Sequence, residues 1–285
     1  MIVRMSLLST VLFAMSGVCA QTATPAAAPR AVPEQTWTLP HISPRDTGPR
    51  TYQFTVDYNV ASPTGDIIQR QRVAGEYTRG LPNREVEWHN VTTATVAGGL
   101  TTPYGPAQKR DFMEGFRYRE DANTMAPDFF KSFPATAVFE RNLVWDTGMF
   151  QMFVQNSFDK LELNVPFHAD SGSDVKMPDV GTFHNRDIVL EWLGNSRRNG
   201  QDCALIEYRA FFNPVEIASG PMTMHARSDY WGTIWVSLAT RQIEYATLNE
   251  EVMGQMKLQG QDAPQLVSVF RIGWFEPLGS AAGGK

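Results

Sequence analysis

The chain has 285 residues, with 25 Lys and Arg against 30 Asp and Glu for a formal net charge of −5, and it is 42% apolar and 19% charged. That balance excludes an intrinsically disordered chain. It also leaves nucleic acid and anionic membranes without a basic surface to grip.

Residues 1–20 read as an export leader. Arg4 precedes an apolar run from Leu7 to Val18 that is too short to span a bilayer, and Val18 and Ala20 occupy the positions a signal peptidase inspects. Cleavage after Ala20 makes Gln21 the first mature residue, leaves no transmembrane segment, and predicts a periplasmic or secreted product. Cleavage before Cys19 would give a lipid anchor instead. Ser16-Gly17-Val18 fits that pattern less well, with Ser in place of Leu and a branched Val directly before the cysteine. Removal of the leader leaves Cys203 as the single thiol, so no internal disulfide is available. Its apolar surroundings, Cys203-Ala204-Leu205-Ile206, predict a buried structural thiol rather than a nucleophile.

Residues 21–50 hold Pro25, Pro29, Pro33, Pro40, Pro44 and Pro49 and read as an extended linker. Residues 51–277 read as one β-rich domain and 278–285 as a flexible tail. Strand patterning opens with Tyr52, Phe54, Val56, Tyr58 and Val60 alternating against polar neighbours. A turn at Ser62-Pro63-Thr64-Gly65 leads to a second strand from Ile67 to Tyr77. After Leu81-Pro82-Asn83 a third strand runs from Val86 to Val96, which makes a meander.

The middle third changes period. Phe112, Met113 and Phe116 stand at helical spacing within Ala107 to Glu120, and Phe129, Phe130 and Phe133 form a second aromatic piece between Pro127 and Pro134. A third helix is expected to open after Asp146-Thr147, either of which can cap it. It would align Phe150, Phe153, Val154, Phe158 and Leu161 on one stripe.

Long strands return in the C-terminal half. Asp187 to Leu193 runs into Asn199-Gly200, the strongest hairpin dipeptide of the chain, and Cys203 to Phe212 returns. Met222 to Ala239 and Gln242 to Leu258 meet at Thr240-Arg241, and Gln265 to Phe275 completes the run. The expected fold is therefore mainly antiparallel β with a few covering helices, as a wide curved sheet or half-barrel. In layout, chiefly over residues 182–276 with the leader and the aromatic helices, the chain resembles the bacterial lipoprotein-carrier half-barrel group. That resemblance implies an open sheet holding acyl chains or other apolar ligands in the periplasm. It carries no functional residue across.

No nucleophile elbow, metalloprotease His pair, phosphate loop or dinucleotide fingerprint occurs, so no cofactor is implied. His168, Asp170, Asp174, His184 and Asp187 gather in one turn-rich stretch, where a solvated polar loop is the ordinary reading and a zinc site the sharper one. Met222 and Met224 point away from His225 in a strand, which argues for core methionines over a copper site.

More informative is the segment from Asp229 to Val236. As a strand it sends Tyr230, Ile234 and Val236 to one face and Trp231 and Trp235 to the other, about 13 Å apart. The tryptophans are ordinary core if a helix covers them and an aromatic platform if nothing does. Trp231, Trp235, Phe150, Phe153 and Phe158 are thus the candidate ligand-binding residues. Three classes follow. One is an exported binder or carrier of a lipid or other apolar ligand between sheet and helices. Another is an assembly factor binding an envelope protein partner. The last is a hydrolase with paired carboxylates around Glu244 and Glu250-Glu251.

Overall fold

The computed structural model describes residues 48–279 except 179. The expected leader, residues 21–47 of the linker and the tail from 280 onward lie outside the described residues.

The N-terminal meander is β1 (Arg50–Ala61), β2 (Ile67–Leu81) and β3 (Glu85–Ala97). In β1 the period of two holds for the apolar residues: Tyr52, Phe54, Val56 and Tyr58 are buried on one face, while Thr55 and Asn59 of the other face are buried as well. Two short strands, β4 (Gln108–Lys109) and β5 (Phe116–Arg119), pair with the free side of β3.

The helix expected over Ala107 to Glu120 is therefore replaced by a strand, a single turn of 3-10 helix at Asp111–Met113, and a second strand. Gly115, at a φ of 69°, reverses the chain between turn and strand. Beyond it Phe116 and Tyr118 face the protein while Arg117 and Arg119 face water, so a period of two wins over the helical spacing. The piece carrying Phe129, Phe130 and Phe133 is a chain of tight turns. Its rings close on Phe116 and Trp145 at centroid distances of 4.8 to 6.4 Å.

One α-helix, α1 (Val138–Ser157), stands among the described residues. It begins more than two turns before Asp146, because Asp146 does not cap: its carboxylate reaches across to Arg271. Thr147 bonds back to the Leu143 carbonyl at 2.7 Å, as a mid-helix threonine does.

Three short strands follow, β6 (Phe167–Asp170), β7 (Asp174–Met177) and β8 (Gly181–His184), and then the long ones. These are β9 (Ile188–Arg198), β10 (Gln201–Ser219), β11 (Met222–Ser237), β12 (Ile243–Leu258) and β13 (Gln265–Pro277). Asn199 and Gly200 take φ of 50° and 76°, the double positive φ of a tight hairpin turn, as their dipeptide predicts.

Every strand pairing is antiparallel, in the order β4-β3-β2-β1-β13-β12-β11-β10-β8-β7. β9 and β6 extend the first half of β10. The result is one large open sheet that does not close into a barrel. Its two meanders join through β1 and β13, in register from Tyr52 opposite Pro277 to Ala61 opposite Ser268. That pairing links the first strand of the sheet to the last, so it carries the largest loop-closure entropy of the fold.

α1 covers one face of this sheet, here called the inner face. Phe150 packs against Phe54, Tyr208 and Phe275 at 5.9 to 6.0 Å between ring centroids, and Phe153 against Tyr208 at 5.4 Å. Gly232 of β11 makes room for this layer. The Tyr208 ring crosses over it to donate to the Thr247 carbonyl at 2.7 Å, and a Cβ at residue 232 would stand 2.1 Å from that oxygen. No described helix is long and apolar enough to cross a membrane.

Candidate functional site

The structure divides the five candidate residues between two faces. Phe150, Phe153 and Phe158 come together under α1 and are essentially solvent-free, at 0%, 2% and 0% exposure. Trp231 and Trp235 project from the opposite, outer face, which α1 does not touch. The phenylalanines and the tryptophans therefore cannot hold one small ligand between them.

The inner face is sealed by charge as well as by rings. Asp146 of α1 and Glu250 of β12 both bind the Arg271 guanidinium of β13. Ser228 of β11 donates to Glu250 at 2.6 Å, and the Tyr58 ring lies 5.1 Å from the guanidinium carbon. Asn142 of α1 donates to the Tyr58 hydroxyl at 3.2 Å. One positive charge thus serves two carboxylates in a buried place. Burial, partly opposed by Arg271, pushes the Asp146 carboxyl up to about 6, with Glu250 adding to the rise. At the end of α1, Arg241 donates to the Val154 and Gln155 carbonyls at 3.1 and 3.0 Å and pairs with Asp159 at 2.8 Å. A cation on the last carbonyls of a helix satisfies orphan acceptors and opposes the dipole.

Sequence reasoning singled out Glu250 but missed Asp146, Arg271 and Arg241. A signal existed for two of them. Asp146 lies within the apolar stripe that carries Leu143 and Phe150. Arg271 alternates with Val269 and Gly273 on the buried side of β13. The other two acids go elsewhere: Glu244 forms a two-pronged pair with Arg50 at 2.9 and 2.6 Å, and Glu251 points outward. That Arg50–Glu244 pair lines an open polar depression of about 450 Å³ at the strand ends, with Asn199 and Gln242.

The two histidines of the expected polar loop lie in short strands, where His168 of β6 pairs with Asp187 at 2.8 Å and His184 of β8 with Asp174 at 2.6 Å, so each imidazole is held by its own carboxylate. Cys203 is buried, and burial pushes its thiol up to about 11, away from reactivity.

The outer face carries the feature most unlike ordinary surface. Register places Trp231, Asn249 and Ile272 side by side across β11, β12 and β13, and Asp229, Glu251 and Phe270 in the next row. Trp231 is 40% exposed, Ile272 49% and Phe270 36%. The bulge of β10 between Ala210 and Asn213 pushes Phe211 and Phe212 to the same side, with the Phe211 ring 6.3 Å from Trp231. Met253 continues the band one row further. These side chains share one face across four strands, with Asn249 and Glu251 of β12 standing between the rings of β10 and β11 and the Phe270 and Ile272 side chains of β13.

Trp235 belongs to a separate, better covered group. It meets Tyr245 edge-on at 5.4 Å, and the Arg198 guanidinium lies 3.9 Å from the Tyr245 centroid.

No family model and no curated protein matches the chain. Among solved structures it is similar, with a TM-score of 0.16, to a DUF1329 family protein from Desulfovibrio piger. The two are 7% identical over 83% of this chain and 89% of that one. The binding domain of botulinum neurotoxin serotype C1 gives a TM-score of 0.14 and 7% identity over 80% of this chain and 83% of that one. Scores of this size carry no argument about ligand or activity, so the functional reading rests on the site itself.

Proposed function

We propose that this chain is an exported binding protein that takes an apolar or amphipathic ligand on the outer face of its sheet, around Trp231. The observation that carries the reading is the asymmetry of β11. Its Tyr230 is buried against Tyr208 and Phe183 and its Ile234 lies in the same core, while Trp231 is 40% exposed against Phe211, on the face that also carries Ile272 and Phe270 two strands away. Isolated exposed apolar residues are ordinary, but several large ones sharing one sheet face, with polar groups among and around them, suit an amphipathic ligand. Covering about 300 Å² of such a surface at about 25 cal/mol per Å² yields about 7 kcal/mol before the costs of association.

Two measurements test the reading. Calorimetric titration with the uncharged amphipath dodecyl maltoside, below its micelle concentration, should give saturable binding that Trp231→Ala weakens about tenfold, the loss of about 1.4 kcal/mol. Absence of binding to the unaltered protein overturns the proposal. Export is tested on protein recovered from its own host. A mature chain beginning at Gln21 supports release after Ala20, and an acylated Cys19 would place the same surface on a lipid anchor instead.

A further inference from the structure

The outer face also carries a charge pattern that chooses among amphipaths. Its arginines are already committed. Arg227 pairs with Asp229 at 2.9 Å and lies 5.3 Å from the Phe212 centroid. Arg209 pairs with Glu207 at 2.6 Å and Glu191 at 3.3 Å, and Arg72 with Asp57 at 2.7 Å. Asp229 is committed too, since it also accepts from the Phe212 backbone N–H.

Among the described residues Glu251 is the unpaired acid beside Trp231; Glu76, Glu216 and Glu276 of the same face are also without a hydrogen-bond or ion-pair partner but lie two or more rows from it. Alternation along β12 buries Glu250 against Ser228 and Arg271 and turns Glu251 outward. There it sits between Asp229 and Phe270 in register, one row from Trp231 and Ile272, and its carboxylate has no hydrogen-bond or ion-pair partner among the described residues. Diagonal neighbours across antiparallel strands stand about 7–8 Å apart at Cα, within reach of long side chains and of a small headgroup between them.

We propose that the outer face selects cationic amphipaths, with Glu251 taking the ammonium head and the Trp231–Ile272–Phe270 strip the alkyl chain. This rests on the binding reading above and names the ligand class for the same surface. A carboxylate beside exposed indole and phenyl rings is the combination an alkylammonium meets best. The carboxylate supplies charge, and the ring faces supply cation–π attraction to a weakly hydrated head. A sulfate or carboxylate head would lie against Glu251 with every nearby arginine already paired, which costs affinity through like-charge contact.

The experiment compares three ten-carbon ligands below their micelle concentrations, decyltrimethylammonium, decyl sulfate and decyl maltoside, by calorimetry on the full mature chain. Near-UV circular dichroism confirms that the fold is intact at each end point. The expected result is about tenfold tighter binding of the ammonium than of the sulfate. Glu251→Gln should bring the two within about twofold, and Glu251→Lys should reverse the order. Equal binding of the two ions by the unaltered protein overturns the proposal and leaves the binding reading standing. So does a cation preference that survives in Glu251→Gln, because it would then belong to the net negative charge of the whole chain. If none of the three ligands binds, the binding reading falls with it.

Discussion

The two faces of this sheet are built from the same strands, yet they meet different environments. On β11 and β12 the inner residues Tyr230, Ile234, Ala246 and Leu248 are buried, and their outward neighbours Trp231 and Asn249 are not. The inner face has a helix, a ring cluster and two arginine clamps over it. The outer face has paired arginines and a bare apolar strip. Period-two patterning places apolar side chains on both faces, but only the position of α1 decides which face becomes core.

The contrast breaks most sharply if the inner face is damaged. Arg271→Gln removes the one cation shared by Asp146 and Glu250 and leaves two buried carboxylates uncompensated. The expected loss is about 3–5 kcal/mol in urea unfolding. Phe150→Ala should cost a similar amount, about 3–5 kcal/mol, because its ring touches Phe54, Tyr208 and Phe275 and the rigid strands beneath cannot close the cavity. A loss below about 1 kcal/mol for either variant would show that α1 is not part of the cooperative core.

A smaller effect sharpens the same picture through pH. The folded-state value of Asp146, about 6, lies above its ordinary 3.8. Its contribution therefore favours the folded state fully below about pH 4 and is lost as pH rises through about 6. A gap of about two pH units corresponds to about 3 kcal/mol. Unfolding free energy measured from pH 4 to 7 should fall over that window from this source. Asp146→Asn should flatten the fall, and an unchanged slope in that variant would place the titration elsewhere.

These tests also mark what could be read from residues alone. The strand run of the C-terminal half was legible because alternation and Asn199-Gly200 are local signals, and the register follows from them. The wide antiparallel sheet was legible for the same reason, whereas of the few covering helices expected one stands among the described residues. The segment from Ala107 to Glu120 was not. Phe112, Met113 and Phe116 match helical spacing only because a turn at Gly115 separates a 3-10 turn from a strand. The start of α1 was missed because Asp146 and Thr147 look like caps, whereas Asp146 is taken by an arginine on the last strand. Partners remote in sequence leave no local mark. For the candidate site, period two placed Trp231 and Trp235 on one face, but whether that face is covered depends on where a distant helix lands. Glu251 gave no sign of its isolation either, since that depends on which arginines fold against which acids.

The smallest expected effect is the most discriminating between the faces. Trp231→Ala removes a large indole, and at an inner position such a change would cost several kcal/mol. On the outer face the indole is 40% exposed, so its truncation removes only part of the packing that an inner ring has. The unfolding free energy should fall by about 1 kcal/mol, well short of the loss at an inner position, while affinity for an alkyl ligand falls. Tyr230→Ala, one residue away and 7% exposed, should do the opposite, losing stability first. If Trp231→Ala instead destabilises the fold as Tyr230→Ala does, the tryptophan is holding part of the protein itself. The outer strip would then be core that some other segment of the chain covers rather than a surface kept open for a ligand.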